Sequence, residues 1–115
     1  MWLLLVFLLA LSCQKVEKKQ NSEIYTKELF KLRGCTNCHD TKRPLVGPSF
    51  EDIAQRYGGE ENKEVLVKSI MEGSCNKWGV RYRCMPPQRV EKEEAERMVD
   101  WILHLKTTKP PISSS

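Results

Sequence analysis

The chain has 115 residues and a formal net charge of +4, with 40% hydrophobic and 30% charged residues. That length holds one small domain once any leader is removed, and so mild a basic excess does not make a nucleic-acid binder on charge alone. A domain near 100 residues buries only about two thirds of its unfolded surface, so a bulky apolar group would help fill its core.

Residues 1–12, Met-Trp-Leu-Leu-Leu-Val-Phe-Leu-Leu-Ala-Leu-Ser, carry no charge. The run is shorter than the roughly 20 residues of a spanning helix and reads as the apolar core of an export signal, although no Lys or Arg precedes it. Ala10-Leu11-Ser12-Cys13 resembles a bacterial lipobox, with Ala where Leu usually stands. The expectation is cleavage before Cys13 and a lipid on that cysteine. An ordinary leader that contains a cysteine is the competing reading. Residues 13–22 are polar, without a hydrophobic period, and read as a flexible tether.

The first predicted helix covers Ser22 to Arg33, with Ser22 as N-cap and Tyr25, Leu29 and Leu32 at helical spacing, and Gly34 ends it. The second covers Phe50 to Tyr57, with Ser49 as cap and Gly58-Gly59 as stop. The third runs from Lys63 to Glu72, capped by Asn62 and stopped by Gly73, with Leu66 and Ile70 on one face. The fourth covers Lys92 to Leu105, with Ala95, Met98, Val99 and Ile102 on one stripe. No run alternates with period two, so the expectation is all-α. Residues 107–115 read as a disordered tail.

Directly after Gly34 stands Cys35-Thr36-Asn37-Cys38-His39, the C-x-x-C-H pattern of c-type haem attachment. The two-residue spacer places both sulfurs at one haem edge for thioether bonds, and the adjacent His falls under the iron. A redox C-x-x-C wants a preceding strand, which is absent. A zinc site built from Cys35, Cys38, Cys75 and Cys84 is the other alternative, but it leaves His39 and Met85-Pro86-Pro87 without a role.

An electron-carrying haem iron commonly takes a second axial ligand. Met71 and Met98 lie in helical patterns and read as core filling, and His104 reads as a packed or solvated side chain. Met85 lies in a loop before Pro86-Pro87, which hold extended backbone rigidly. Met85 is therefore the expected sixth ligand, and a His/Met pair raises the reduction potential.

Leu-Phe-Lys-x-x-Gly-Cys at 29–35, Val-Gly-Pro at 46–48, Gly-Ser at 73–74, Trp-Gly at 78–79 and Met-Pro-Pro at 85–87 occur in that order. With these motifs the chain resembles the class I cytochromes c, in particular the short single-haem carriers of bacteria, over residues 23–106. The resemblance implies an all-α cytochrome c fold, about four helices wrapped around one covalent haem. It implies that the Pro48 carbonyl accepts the Nδ1 hydrogen of His39, that the Trp78 indole donates to a haem propionate rather than merely packing, and that Phe30 meets Trp101 where the first and last helices cross. Two departures stand out. Gln88 replaces the Asn whose amide can bond the Met sulfur, and the loop from Trp78 to Met85 is about two residues longer than the common form.

Cys75 and Cys84 bracket that loop. In an oxidising compartment they are expected to pair, with two free thiols as the alternative. Lys31, Arg33, Lys42, Arg43, Lys77, Arg81, Arg83 and Arg89 flank the haem-binding segments. They form either a solvated face or a positive ring that steers towards an acidic redox partner. The expected function is a monomeric, periplasmic electron carrier between respiratory partners. The alternative is a dedicated haem subunit or partner of a periplasmic dehydrogenase or oxidase. No residue supplies a distal acid–base group, so no enzyme is expected.

Overall fold

The computed structural model describes residues 2–105, with side chains from residue 15 onward. The side chains of the expected leader and of Cys13, and the expected tail at 107–115, lie outside the described residues. Among those described, the chain is all-α: α1 (Trp2–Leu32), α2 (Phe50–Tyr57), α3 (Lys63–Glu72) and α4 (Lys92–Leu103), with single 3-10 turns at Cys35–Asn37 and Glu60–Asn62. Extended pairing among them is limited to two isolated bridges, His39 with Pro44 and Ser74 with Met85.

α1 is longer than expected. It runs unbroken through residues 13–22, where an irregular tether is expected. No Gly or Pro occurs between residues 2 and 33, and the stretch is rich in Lys, Glu, Gln and Leu, all good helix formers. Residues 15–23 are exposed, so propensity rather than packing makes them helical. Ser22 does not cap: its carbonyl accepts from the Thr26 hydroxyl at 2.8 Å and its own hydroxyl accepts from Arg97 at 3.3 Å. The buried face of α1 is Thr26, Leu29 and Phe30, while Tyr25 and Leu32 are exposed. Gly34, at φ 76°, ends the helix in the left-handed region that favours glycine.

α2 begins where expected, its Ser49 hydroxyl accepting from the Asp52 N–H at 3.0 Å. Asn62 does not cap α3. Its side-chain amide donates to the Tyr57 carbonyl at 3.3 Å instead and so closes the end of α2. α4 starts with a capping box between Glu91 and Glu94 and stops at Leu103, two residues before the expected end. Its expected stripe is the core of the molecule: Ala95, Met98 and Val99 are fully buried and Ile102 nearly so.

Two apolar clusters share α4. On one side Met98 and Ile102 pack with Leu29, Phe30, Phe50 and Ala54. On the other, Ala95 and Val99 pack with Leu66 and Val67 of α3. Phe30 meets the edge of Trp101 at 5.2 Å between ring centroids, as the helix crossing requires. Arg33 reaches from the end of α1 to Glu94 of α4 at 2.9 Å, and Lys63 ties α3 to Asp100 at 2.9 Å.

Candidate functional site

The chain leaving α1 makes a 3-10 turn over Cys35–Asn37, in which the N–H groups of Cys38 and His39 both donate to the Cys35 carbonyl. This tight turn puts Cys35 and Cys38 on one edge and carries His39 inward. Neither cysteine is disulfide-bonded; Cys35 is half-buried and Cys38 exposed. Burial pushes the Cys35 thiol up.

The following loop folds back on His39. The Asp40 carboxylate accepts from the Lys42 and Arg43 N–H groups at 3.0 and 2.9 Å, which turns the chain at its first corner. The same two backbone bonds, that of Arg43 first, hold the Asp40 carboxyl below its usual range. Gly47 then donates to the Cys38 carbonyl at 2.8 Å. A Cβ on Gly47 would lie 2.6 Å from His39 Cε1, so only glycine lets this backbone run so close to the imidazole.

His39 Nδ1 donates to the Pro48 carbonyl at 2.7 Å. That bond fixes the tautomer and leaves Nε2 as the nitrogen with a free lone pair. Burial holds the imidazole below its ordinary pKa, against the pull of the Pro48 carbonyl in the other direction. A neutral imidazole with a directed lone pair is the form that binds a metal. Phe50 stacks on the same ring at 5.5 Å.

On the far side, Ser74 and Met85 exchange backbone hydrogen bonds at 2.9 and 2.8 Å, and Cys75 and Cys84 are joined by the expected disulfide. The bridge excludes the four-thiolate zinc alternative, since two of its four sulfurs are spent. No group of three or more His, Cys, Asp or Glu that could hold a metal occurs among the described residues. The Gln88 amide donates to the Pro86 carbonyl at 2.7 Å rather than serving the Met85 sulfur.

These segments enclose a cavity of about 350 Å³ whose lining includes Cys35, Cys38, His39, Pro48, Trp78 and Met85. Its inner wall is Phe30, Ile53, Met98, Val99 and Ile102. Thus every haem-site residue expected from the sequence reaches one cleft, of a size typical for a cofactor. The other sulfur and imidazole candidates fall differently. Met98 is core and touches the cleft only as wall, Met71 is on the surface, and His104 is exposed, its Nδ1 donating to the Asp100 carbonyl at 2.7 Å. Trp78 stands at the rim, with the Arg56 guanidinium 4.5 Å over its ring and the edges of Tyr57 and Tyr82 against it. The residues fit a haem: two unpaired thiols at one edge, a neutral imidazole with its lone pair free, a thioether on a braced loop and an apolar interior.

Gly47, Phe50 and Asp40 are site residues that sequence reasoning missed. The Val-Gly-Pro motif marked the first, but nothing in the pattern showed that its backbone lies against the His39 ring.

The cytochrome c family model matches residues 25–106. The chain is 41% identical over 81 residues to cytochrome c-551 of Pseudomonas denitrificans, covering 70% of this chain and 96% of that one. It is 38% identical over 81 residues to cytochrome c-552 of Hydrogenobacter thermophilus, covering 70% and 81%. The crystal structure of wild-type Nitrosomonas europaea cytochrome c552 superposes with a TM-score of 0.64 at 35% identity, covering 70% of this chain and 99% of that one. The chain belongs to the cytochrome c family, in the class I branch of the bacterial c-551 and c-552 proteins. It is an electron carrier rather than an enzyme and carries one covalently bound haem c.

Proposed function

We propose that Cys35 and Cys38 hold the haem through thioether bonds, that His39 and Met85 are its axial ligands, and that the protein carries single electrons between respiratory partners in the bacterial periplasm. The observation that carries this is the convergence of a Pro48-anchored imidazole and a Ser74-anchored methionine on one cavity beside both free thiols. The bound haem iron supplies the one-electron couple. The protein keeps both ligands fixed so that little has to reorganise when the charge changes.

Each half of the site is held by backbone. The Pro48 carbonyl orients His39 and strengthens it as a ligand. The Ser74 pairing and Pro86-Pro87 hold the Met85 strand. Trp78 would donate its indole N–H to a haem propionate, with Arg56 adding positive charge over the same ring. The exposed Cys38 marks the open edge through which electrons pass.

Residues 1–12 act as the leader, and Cys13 is the lipidated first residue of the mature protein. Residues 13–22 space that anchor from the domain at 23–106. No helix among the described residues is long and apolar enough to cross a membrane.

Intact mass and visible spectroscopy of the mature protein test the proposal together. Expected are one haem that survives extraction with acidified acetone, two hydrogens fewer for the disulfide, and acyl chains on Cys13. Haem lost on extraction would overturn the attachment, and an unmodified Cys13 would overturn the anchor.

A further inference from the structure

We propose that the disulfide-closed loop at 76–83 is the docking element, and that it takes an acidic redox protein with a shallow apolar recess for Val80. This rests on the electron-carrier function and names the surface and the partner chemistry for it.

Charge is the first observation. Lys77, Arg81 and Arg83 lie in the loop, and no acidic residue occurs between Gly73 and Val90. Elsewhere around the site Arg33 pairs with Glu94, Lys31 with Glu28 and Arg43 with Asp40, while Lys42 and Arg89 have no carboxylate partner among the described residues. None of the three loop cations has a carboxylate partner among the described residues, and Lys77 donates only to the Ser69 hydroxyl at 3.0 Å. Three of the five flanking cations without a carboxylate partner therefore lie in this one loop, where they complement an acidic face.

Shape is the second. Val80, beside Gly79 at the tip, is fully exposed, and the space around Gly79 is open. An isolated exposed valine needs no explanation. One that shares a constrained loop with three unpaired cations has the makings of a docking anchor with a polar rim.

Constraint is the third. The disulfide and the Ser74–Met85 bridge lock the base of the loop. Within it Arg81 lies 5.6 Å over Tyr82, and Tyr82 meets Trp78 edge-on at 6.4 Å. A loop ordered before contact loses less entropy on binding. Tyr82, Arg83 and Cys84 also line the haem cavity, so a partner seated on the loop rests beside the cofactor.

The test is stopped-flow reduction of the ferric holoprotein by reduced flavodoxin, a small acidic flavoprotein, at several salt concentrations. Arg81→Glu/Arg83→Glu is expected to slow the second-order rate about tenfold at low salt and to flatten its salt dependence. Val80→Ser is expected to slow it about threefold at every salt concentration. Lys42→Glu/Arg43→Glu serves as the off-loop control, and reduction by neutral hydroquinone should be equal in all variants. Loop variants that match the wild type, or a control that slows the reaction as much as the loop reversal, overturn the proposal while leaving the electron carrier intact. Failure of the wild type to accept electrons from any reductant would instead strike the carrier function itself.

Discussion

Ser74 and Met85 face each other across two backbone hydrogen bonds, and their neighbours on the loop side, Cys75 and Cys84, are joined by the disulfide. Met85 thus stands at the base of a loop that is locked twice. A Cβ on Gly73 would come within 2.8 Å of the Met85 carbonyl, so the strand opposite is also in backbone contact. The backbone of the proposed ligand Met85 is held by main-chain hydrogen bonds and by the disulfide beside it.

Replacing Cys75 and Cys84 together with Ser should lower stability by about 2–3 kcal/mol, the chain-entropy value for a loop of about ten residues. Urea titration measures the loss. The long-wavelength absorbance of Met-ligated ferric haem should fade at lower urea than it does in the wild type. Equal robustness of that band in both proteins would show that the bridge does not protect the ligand.

Gly47→Ala should cost about 1–3 kcal/mol, because its methyl would sit 2.6 Å from His39 Cε1 and the imidazole has to move. Thermal melting reports the cost, and ferric NMR shifts of the His39 ring report the tilt. Gly73→Ala should also destabilise, through its φ of 87° as well as the clash with Met85.

Met98→Ala should cost about 2–5 kcal/mol, as for a fully buried methionine emptied into a cavity. It should leave the Met-ligation band in place at low temperature. That combination separates a core methionine from a ligand.

The Glu94 carboxyl is held below its ordinary range, first by the Glu91 N–H and next by the Arg33 guanidinium. A depressed folded-state value contributes stability above the unfolded carboxylate range, and that stability is lost as pH falls through the folded value. Glu94→Gln should therefore melt below the wild type at neutral pH, with the gap closing as pH drops beneath the carboxylate range. A gap that stays constant with pH would contradict a role for the ionised carboxylate.

Local signals made most of this molecule legible. Ser49 as a cap and the stripe from Ala95 to Ile102 each depend on neighbours within one helical turn, and each is found as expected. Tyr25 and Leu32 satisfied the same periodicity but stay exposed, because the tertiary contact chose the adjacent face bearing Thr26 and Phe30. Asn62 fits a cap by residue type, yet its amide is taken by the Tyr57 carbonyl. What sequence could not show is non-local: the Gly47 backbone against His39, Phe50 stacked on the same ring and Arg56 over Trp78. These depend on how loops return, which no period records.

The most direct measurement of the central claim compares ferric absorption spectra of the wild type and Met85→Leu holoproteins. The prediction is a long-wavelength sulfur–iron band in the wild type and its loss in the variant, with haem still bound through Cys35 and Cys38. A band that survives in Met85→Leu would contradict it and place the sixth ligand elsewhere.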